Sequence, residues 1–588
     1  MKKILFYVFT SLLLACFFAS CSDEKDTVVE TTTEPSISEE TSNTSGNYCD
    51  NIKWKYDEST FTFSFSGTGK IDIKGIFNSD NCGWYWSAIT QTVLIEEGIT
   101  EADDNELLIF DNAKTLCLPS TFVGYIPEMK NIEKYVVAED NPNYYSDENG
   151  VIFNKDKTEI IRYPKGNPAE IYEIPEGIIS ICSGAFDESK YLKTVIIPES
   201  LNGISRTTFD ESSVYLNSEN WEEDVFYVDN CLVRVDWETE AEHIIVKEGT
   251  RRIEAHAFAG CENVKSITIP DSVQVIGERA FESCSSLESI YIGSGVETIG
   301  GAPFVFDAEG LPCINLKSIE VSKDNKNYTS VDGVLFNKEM TELIQYPIGK
   351  KQKEYVIPDS VTTIGSKAFC FCDELTKLTV GKGITVIDYC LLFQCDNIET
   401  VILPDTLTKI DGGAFKYSGI KYIDIPDSVT YLGCEAMTAC PRLKTVNIGK
   451  GVSYIHEWAI GGQSLETINV DRENQFFADE NGVLFNKDKT ELLLYPENKS
   501  GETYRIPESV KAIKSGAITQ AKNLERIYVG SNVEIIESAN FYEDVEDGYI
   551  NETNYEICYE GNQKQWNKLF ENEYEREYID KTKIKYLQ

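Results

Sequence analysis

The side chains that most often carry out catalysis are sparse in this sequence and form no recognisable motif. Its three histidines, His243, His256 and His456, belong neither to a paired zinc-binding motif nor to the surroundings of a nucleophilic Gly-x-Ser-x-Gly turn. His256 takes a position that Lys or Arg fills elsewhere in the chain, which favours a surface residue. We therefore predict no catalytic residue, no metal site and no cofactor. An active site assembled from distant residues stays open as an alternative.

Carboxylates are abundant, but they give no sharper signal. The chain has 97 Asp and Glu against 54 Lys and Arg, a formal net charge of −43, and the acidic residues are spread along its length. Pairs of carboxylates are too common to indicate glycoside hydrolysis, and no acidic segment has the spacing of a calcium loop. The negative charge argues against nucleic acid and anionic lipid surfaces as partners. It favours a solvated surface over a dedicated cation site.

Cysteines are the other candidates for chemistry, and the sequence has 17 of them. Five recur at one position of the repeat described below, where a free thiol serves as a small apolar side chain in a buried column: Cys261, Cys284, Cys372, Cys395 and Cys440. Disulfide bonds stay an alternative for Cys49, Cys82, Cys117 and Cys313, and for the pair Cys370 and Cys372. The Cys-x-Cys spacing of that pair is a weak metal-binding signal without neighbouring histidines.

The first twenty residues have the features of a secretion signal. Two lysines precede a short apolar run, and Phe18–Cys21 resembles the lipobox at which bacterial lipoproteins are acylated on cysteine. We predict lipidation of Cys21. Cys16 is a rival position, and an ordinary cleaved signal is a further alternative. The acidic residues after Cys21 resemble the signals that send Bacteroidetes-type lipoproteins to the outer surface of the outer membrane.

The elements that would position any site come from a repeat. Ile-Pro-Asp-Ser-Val occurs at 269–273, 357–361 and 425–429, and variants of it recur at intervals of 23 residues. A fixed period of this length is typical of a solenoid. Each coil is too thin to hold a core of its own, so stability must come from the stacking of neighbouring coils.

One coil, residues 287–300, serves as the template. Ile290 and Ile292 should point inward from a short strand, while Ser289 and Tyr291 point outward. The Pro or Gly that follows the strand ends it. An Ala-Phe pair closes many coils and is expected in a short helical or 3₁₀ turn.

The full pattern, Leu-x-x-Ile-x-Ile-Pro-x-x-Val-x-x-Ile-Gly-x-x-Ala-Phe-x-x-Cys, resembles the BspA-like subclass of leucine-rich repeats over most of residues 85–560. The resemblance implies a parallel β-sheet solenoid bent into an arc, exported and attached to the cell surface. Members of that family mostly act in adhesion or host interaction, or have no assigned role.

Three longer units depart from the simple coil. The segment 149–159 recurs at 332–342 and 481–491, and each copy is followed by Tyr-Pro. Two apolar strands around Asn-Lys-(Asp/Glu) predict a β-hairpin inserted into a longer coil. A degenerate fourth copy is expected at 229–237.

Composition and repeats together divide the chain into five parts. We predict a lipoprotein signal peptide at 1–20, a disordered tether at 21–47, an N-terminal β cap at 48–84, leucine-rich repeats with 36-residue hairpin units at 85–545, and a C-terminal cap at 546–588.

The outward-facing strand positions form the largest repeated surface. Their central column, mostly small and polar, reads Thr268, Tyr291, Glu320, Thr379, Ile402, Asp424, Asn447, Asn469 and Tyr528. Repeat proteins use such surfaces to bind extended partners. The ligand-binding residues that we predict lie where an aromatic ring and amides meet on adjacent coils: Tyr422, Asp424, Asn447 and Asn469. The alternative is that Thr and Asn merely suit an exposed strand.

The expected function follows from the fold and the leader. We predict a monomeric lipoprotein, anchored in the outer membrane by lipid alone and exposed at the cell surface, that binds an extracellular protein or glycan through the concave sheet. A non-catalytic scaffold or accessory lipoprotein, possibly capturing glycan, is the alternative, and an unrecognised enzyme is less favoured.

Overall fold

A computed structural model describes residues 44–49, 51–71, 83–102, 107–127, 129–304, 312–541, 543–545, 548–550, 555–570 and 581–588. The chain divides into two units, 1–44 and 45–588. The predicted leader, with Cys16 and Cys21, lies outside the described residues, as does nearly all of the predicted tether. In the second unit, short strands stack coil upon coil, which confirms the prediction of a repeat solenoid.

An antiparallel sheet of alternating pattern begins the second unit. Its strands are β1 (Ser45–Cys49), β2 (Ile52–Asp57) and β3 (Thr62–Gly67), followed by β4 (Gly69–Ile71) and the helix α1 (Gly83–Ile89). Trp54 of β2 pairs with Phe65 of β3, and both rings are buried. β3 pairs in parallel with the first strand of the solenoid, so this segment continues directly into the stack. β1 begins inside the predicted tether.

Most coils contribute one longer strand, and these long strands stack in parallel. They are β5 (Thr92–Ile95), β7 (Thr115–Leu118), β8 (Lys134–Val137), β12 (Ile171–Glu173), β14 (Thr194–Ile196), β18 (His243–Ile245), β20 (Ser266–Ile269), β22 (Ser289–Ile292), β24 (Ser318–Val321), β28 (Glu354–Val356), β30 (Lys377–Thr379), β32 (Thr400–Ile402), β34 (Tyr422–Ile425), β36 (Thr445–Ile448), β38 (Thr467–Val470), β42 (Thr503–Arg505), β44 (Arg526–Val529), β48 (Glu556–Tyr559) and β49 (Ile584–Tyr586).

A second, shorter strand follows the Pro or Gly turn in most coils. These short strands are β6 (Ile99–Ala102), β13 (Ser180–Ile181), β19 (Arg252–Ile253), β21 (Val275–Ile276), β23 (Thr298–Ile299), β29 (Thr363–Ile364), β31 (Val386–Ile387), β33 (Lys409–Ile410), β35 (Tyr431–Leu432), β37 (Tyr454–Ile455), β43 (Ala512–Ile513) and β45 (Ile535–Ile536). They stack in parallel as a separate column of strands.

The inserted hairpins are present, and the three longer units each carry one strand more than predicted. The degenerate copy expected at 229–237 is displaced, because that range holds a single strand and the turn before it, and its hairpin begins at Trp221. The inserted strands are β9 (Tyr144–Ser146), β10 (Ile152–Asn154) and β11 (Glu159–Arg162); β15 (Trp221–Glu222), β16 (Val225–Val228) and β17 (Cys231–Val235); β25 (Tyr328–Val331), β26 (Val334–Asn337) and β27 (Glu342–Gln345); and β39 (Phe477–Glu480), β40 (Val483–Asn486) and β41 (Glu491–Leu494). The last strand of each insertion pairs in parallel with the next short strand. The insertions therefore interrupt the long-strand column and continue the short-strand column.

A buried asparagine secures three of these insertions. The Asn325 amide donates to the carbonyls of Gly293 and Val296 in the preceding coil, and its oxygen accepts from the backbone of Asn327 and Tyr328. Asn141 and Asn474 make the equivalent contacts in the other two insertions. Each of these side chains thus satisfies backbone hydrogen-bonding groups of both the preceding coil and the insertion.

The template coil is oriented as predicted. Ile290 and Ile292 are buried, whereas Tyr291 between them is 42% exposed. The Ala-Phe segment forms consecutive turns closed by hydrogen bonds three residues apart, as between the Ala257 amide and the Glu254 carbonyl. A left-handed residue, such as His256 at φ 58°, interrupts this segment and prevents a continuous 3₁₀ helix.

The cysteine column lies in the core, and its thiols are free. The Cys395 sulfur donates to the Phe369 carbonyl of the preceding coil at 2.9 Å, and the Cys440 sulfur donates to the Phe415 carbonyl at 3.1 Å. Each thiol fills a small apolar position and also donates to a backbone carbonyl of the preceding coil; the Phe415 carbonyl accepts from the Ser418 amide as well.

The remaining elements are short. They are α2 (Ser213–Leu216), the strands β46 (Glu543–Val545) and β47 (Gly548–Ile550), α3 (Gln563–Trp566), and 3₁₀ helices at Leu107–Ile109, Ser218–Asn220 and Lys581–Lys583. Within the part of the chain that the structure describes, no helix is long and apolar enough to cross a membrane.

Candidate functional site

The four residues predicted to bind a ligand lie together on three neighbouring long strands. Tyr422 and Asp424 are on β34, Asn447 is on β36 and Asn469 is on β38. The register pairs Asp424 with Asn447 and Asn447 with Asn469, so these three side chains project from the same face of the sheet in one row. Tyr422, 43% exposed, starts β34 on the same outward face.

The row is joined by hydrogen bonds between side chains. The Asn469 amide nitrogen donates to the Asn447 oxygen at 2.8 Å, and the Asn447 amide nitrogen donates to an Asp424 carboxylate oxygen at 2.5 Å. All donors therefore point the same way, and the chain of bonds ends on a carboxylate. An amide donating to a carboxylate makes a stronger bond than two neutral groups do.

This arrangement leaves defined polar groups for a partner. Each amide nitrogen has a second N–H, and the Asp424 carboxylate has a second oxygen, because each bond within the row uses only one of them. The row therefore offers donors along its length and a charged acceptor at one end. It has the chemistry of a surface that binds by hydrogen bonds and charge.

The structure adds apolar residues to this face that the sequence analysis did not select. Val356 is 64% exposed and Ile245 is 77% exposed. Each is the last residue of a long strand that follows a hairpin insertion. Val356 directly precedes Ile357-Pro358, the same phase at which Thr268 precedes Ile269-Pro270. That phase, 23 residues before Thr379, could have identified it from the sequence.

A second exposed feature lies on the short strands. Tyr431 of β35 and Tyr454 of β37 stack with ring centroids 5.0 Å apart and planes 7° from parallel. The Lys409 ammonium lies 5.0 Å from the centroid of the Tyr431 ring and forms a salt bridge with Asp411 at 2.6 Å. This pair was not predicted from the sequence, because the predicted ligand-binding residues all lie on the long strands.

Two of the three histidines take part in pairs that hold neighbouring coils together, whereas the His456 ring accepts from the Trp458 amide of its own coil at 3.3 Å. His256 Nδ1 lies 2.8 Å from the carboxylate of the buried Glu282, and His243 Nδ1 lies 2.8 Å from the Ser266 hydroxyl. Among the described residues, no group of three or more His, Cys, Asp or Glu could hold a metal ion. Burial raises the pKa of the Cys370 thiol to about 12, so this thiol is protonated near neutral pH.

Comparison with known proteins gives a family and several structural likenesses. The sequence matches the model of the BspA type leucine rich repeat region, in six copies, at residues 165–232, 237–352, 348–466 and 496–559, more than half of the chain. None of the curated proteins matches the sequence.

Solved structures with similar folds include three bacterial proteins. The pneumococcal vaccine antigen PcpA is 22% identical with a TM-score of 0.39, covering 85% of this chain and 98% of its own. A leucine-rich repeat protein from Bacteroides ovatus is 21% identical with a TM-score of 0.32, covering 63% and 97%. A leucine rich cell surface protein from Faecalibacterium prausnitzii is 16% identical with a TM-score of 0.27, covering 89% and 97%.

Proposed function

The chain belongs to the BspA-type leucine-rich repeat family, and from this premise we propose that it is a cell-surface binding module for an extracellular macromolecule. Leucine-rich repeat solenoids are typically non-catalytic and bind through extended repeated surfaces. The proposal places the protein outside the cell, held to the outer membrane by lipid on Cys21.

The observation that carries the proposal is the row from Asp424 through Asn447 to Asn469. Its side chains are held in one register by hydrogen bonds of 2.5 and 2.8 Å, so they are ordered before a partner arrives. Ordering a surface in advance lowers the entropy cost of binding. Tyr422 adds an exposed aromatic ring, a residue type enriched at binding sites.

A binding screen tests the proposal. Purified protein would be titrated against a panel of extracellular-matrix proteins and polysaccharides, with Tyr422→Ala and Asn447→Ala measured beside it. We expect saturable binding that both variants weaken by about tenfold or more. Tyr454→Ala, an equally exposed tyrosine on the short strands, is the matched control and should bind like the wild type.

Two results would count against the proposal. Absence of saturable binding across the panel would refute the binding role and favour a scaffold for other surface lipoproteins. Binding that Tyr454→Ala weakens as much as Tyr422→Ala would move the site away from the long-strand face.

A further inference from the structure

The second insertion, made of β15, β16 and β17, leaves a strand edge open in the long-strand column. The strand after it, β18, begins a sheet that continues through β20 and β22, so β18 has a paired strand on one side only. Its residues bond to β20 alternately, as where the Val246 amide donates to the Thr268 carbonyl. Because alternate residues of a strand face opposite neighbours, the N–H and C=O groups of His243 and Ile245 point away from β20.

The hairpin of this insertion pairs elsewhere. It bonds to the coil of β18 beyond the end of the strand, where the Tyr227 hydroxyl accepts from the Lys247 amide at 3.2 Å. The hairpin strand β16 has β15 on one side and β17 on the other, so both of its edges are occupied and it pairs with neither long strand. Among the described residues, the backbone groups of His243 and Ile245 form no hydrogen bond. These groups are therefore open to a partner.

The other three insertions differ, because each bonds to the long strand before it. The carbonyl of a glycine at the hairpin tip accepts from the backbone of that strand: Gly150 from Tyr135, Gly333 from Ile319, and Gly482 from Ile468. The second insertion has Asp224 at the equivalent place, and its carbonyl accepts from the Asp236 amide at 2.8 Å instead. Among the described residues, the Val195 amide of the preceding strand β14 forms no hydrogen bond. At the level of β17, the long-strand column thus has neither a strand nor a bonded hairpin tip.

Exposed isoleucines lie on the two long strands that border this level. Ile245 of β18 is 77% exposed, and Ile196 of β14 is 42% exposed. They occupy the same position of the coil, since Ile196 directly precedes Ile197-Pro198 and Ile245 directly precedes Val246-Lys247. Unpaired main-chain groups beside exposed apolar β-branched side chains form the kind of edge to which another strand adds.

From these observations we infer that the edge of β18 binds an extended polypeptide segment of a partner protein as an added strand. The segment exchanges main-chain hydrogen bonds with His243 and Ile245 and places apolar side chains beside Ile245. A glycan lacks the regular alternation of N–H and C=O groups that such an edge selects. The inference rests on the proposed binding role of the long-strand face and names the class of partner. It adds a site on a different sheet from the row at Asp424.

Three synthetic peptides with capped ends test the inference on the full-length protein, with binding followed by fluorescence anisotropy. The first is Lys-Thr-Val-Thr-Val-Thr-Lys, and the other two carry N-methyl groups on the backbone nitrogens of either its valines or its threonines. Alternate N–H groups of a strand point to opposite edges, so each methylated peptide has one blocked edge. We expect the first peptide to bind and one methylated peptide to bind at least about fivefold more weakly.

Substitutions of Ile245 locate the site. Ile245→Pro removes the N–H of the open edge and keeps the bonds to β20, because that N–H points away from β20. Ile245→Lys keeps the N–H and places a charge on the edge, which opposes strand addition. Both should weaken binding of the first peptide by about fivefold or more, whereas Ile245→Val should not. Tyr291→Ala, on a strand that is paired on both sides, is the matched control and should leave binding unchanged.

The outcomes separate this inference from the broader proposal. Absence of binding by the first peptide, equal binding of all three peptides, or binding that the folded Ile245→Pro and Ile245→Lys variants retain in full would overturn the inference. Circular dichroism shows whether each variant is folded, and Ile245→Lys alone decides if Ile245→Pro is not. If the peptides fail but a ligand of the binding screen is still lost in Asn447→Ala, the proposed function stands without this site. If neither peptides nor screen ligands bind, both fall.

Discussion

The carboxamide nitrogen of Asn447 lies 2.5 Å from a carboxylate oxygen of Asp424 on the neighbouring strand. The two residues are 23 positions apart in the sequence and occupy the same position of successive coils. In a parallel solenoid every residue meets its equivalents in this way, so side chains of one type can form a row across the sheet. A change in charge at one position therefore alters the electrostatic interaction with the equivalent residue of the next coil.

Asn447→Asp should destabilise the protein in a pH-dependent manner. Two carboxylates would then face each other in register, and like charges directly opposite cost about 0.2–1 kcal/mol. Urea denaturation should show this loss at pH 7 and a much smaller one near pH 3, where carboxyl groups are largely protonated. Asn447→Ser, which adds no charge, is the control. A loss of equal size at both pH values would exclude repulsion as the cause.

The buried Asn474 should matter far more to stability than the exposed Asn447. Its side chain makes four hydrogen bonds of 2.8 to 3.0 Å to backbone groups, and it has no exposed surface. Asn474→Ala should cost about 2–4 kcal/mol of unfolding free energy, because buried backbone groups lose their partners. Asn447→Ala is the control and should cost less than about 1 kcal/mol.

The glycine at the tip of the fourth insertion is required by space and by backbone conformation. Gly482 has φ +81°, and a Cβ atom there would lie 2.4 Å from the Thr467 hydroxyl. Gly482→Ala should therefore cost about 1–3 kcal/mol, measured by thermal or urea unfolding. Gly301→Ala meets nothing within 4 Å and should change stability by less than about 0.5 kcal/mol. Equal effects of the two substitutions would contradict this explanation.

Much of the fold follows from the sequence because each coil repeats the same pattern of apolar, polar and turn residues. Period-two alternation fixes which strand residues face the core, as Ile290 and Tyr291 show, and Pro or Gly fixes where the strand ends. The 23-residue period then fixes the register, because a shift by one residue would turn every apolar side chain outward. The solenoid, the cysteine column and the inserted hairpins were predictable on these grounds.

The candidate site was predictable only in part. The row at Asp424, Asn447 and Asn469 lies in consecutive simple coils, where the period holds. Val356 lies 23 residues before Thr379 and could have been assigned to the same face from the period. Within an insertion, sequence spacing alone does not show which residue lies beside the long strands. The first strand of each insertion was missed because β25 and β39 are polar and only half-buried.

The buried thiols should resist alkylation in the native protein. Burial raises the pKa of Cys395 well above its usual value, and its sulfur donates to the Phe369 carbonyl. Cys434 is exposed. Iodoacetamide at pH 8 should modify Cys434 first and Cys395 only after unfolding, as followed by peptide mass spectrometry. Modification of both at similar rates, or recovery of Cys395 in a disulfide, would show that the column is not a set of buried free thiols.

Acid stability should depend on Glu374. Its carboxylate accepts from the Lys351 and Lys353 ammonium groups at 2.6 and 2.8 Å, and these bonds lower its pKa from 4.5 to about 2. Because the folded state holds the charged form, the stabilisation is fully present above pH 4.5 and is lost as the pH falls towards 2. Glu374→Gln should lower the Tm at pH 7, and the difference from the wild type should shrink below pH 4.5. Glu339→Gln, at an acid that forms no salt bridge among the described residues, should follow the wild type throughout. A Glu374→Gln difference that persists unchanged at pH 2 would mean that packing of the side chain, and not its charge, stabilises this turn.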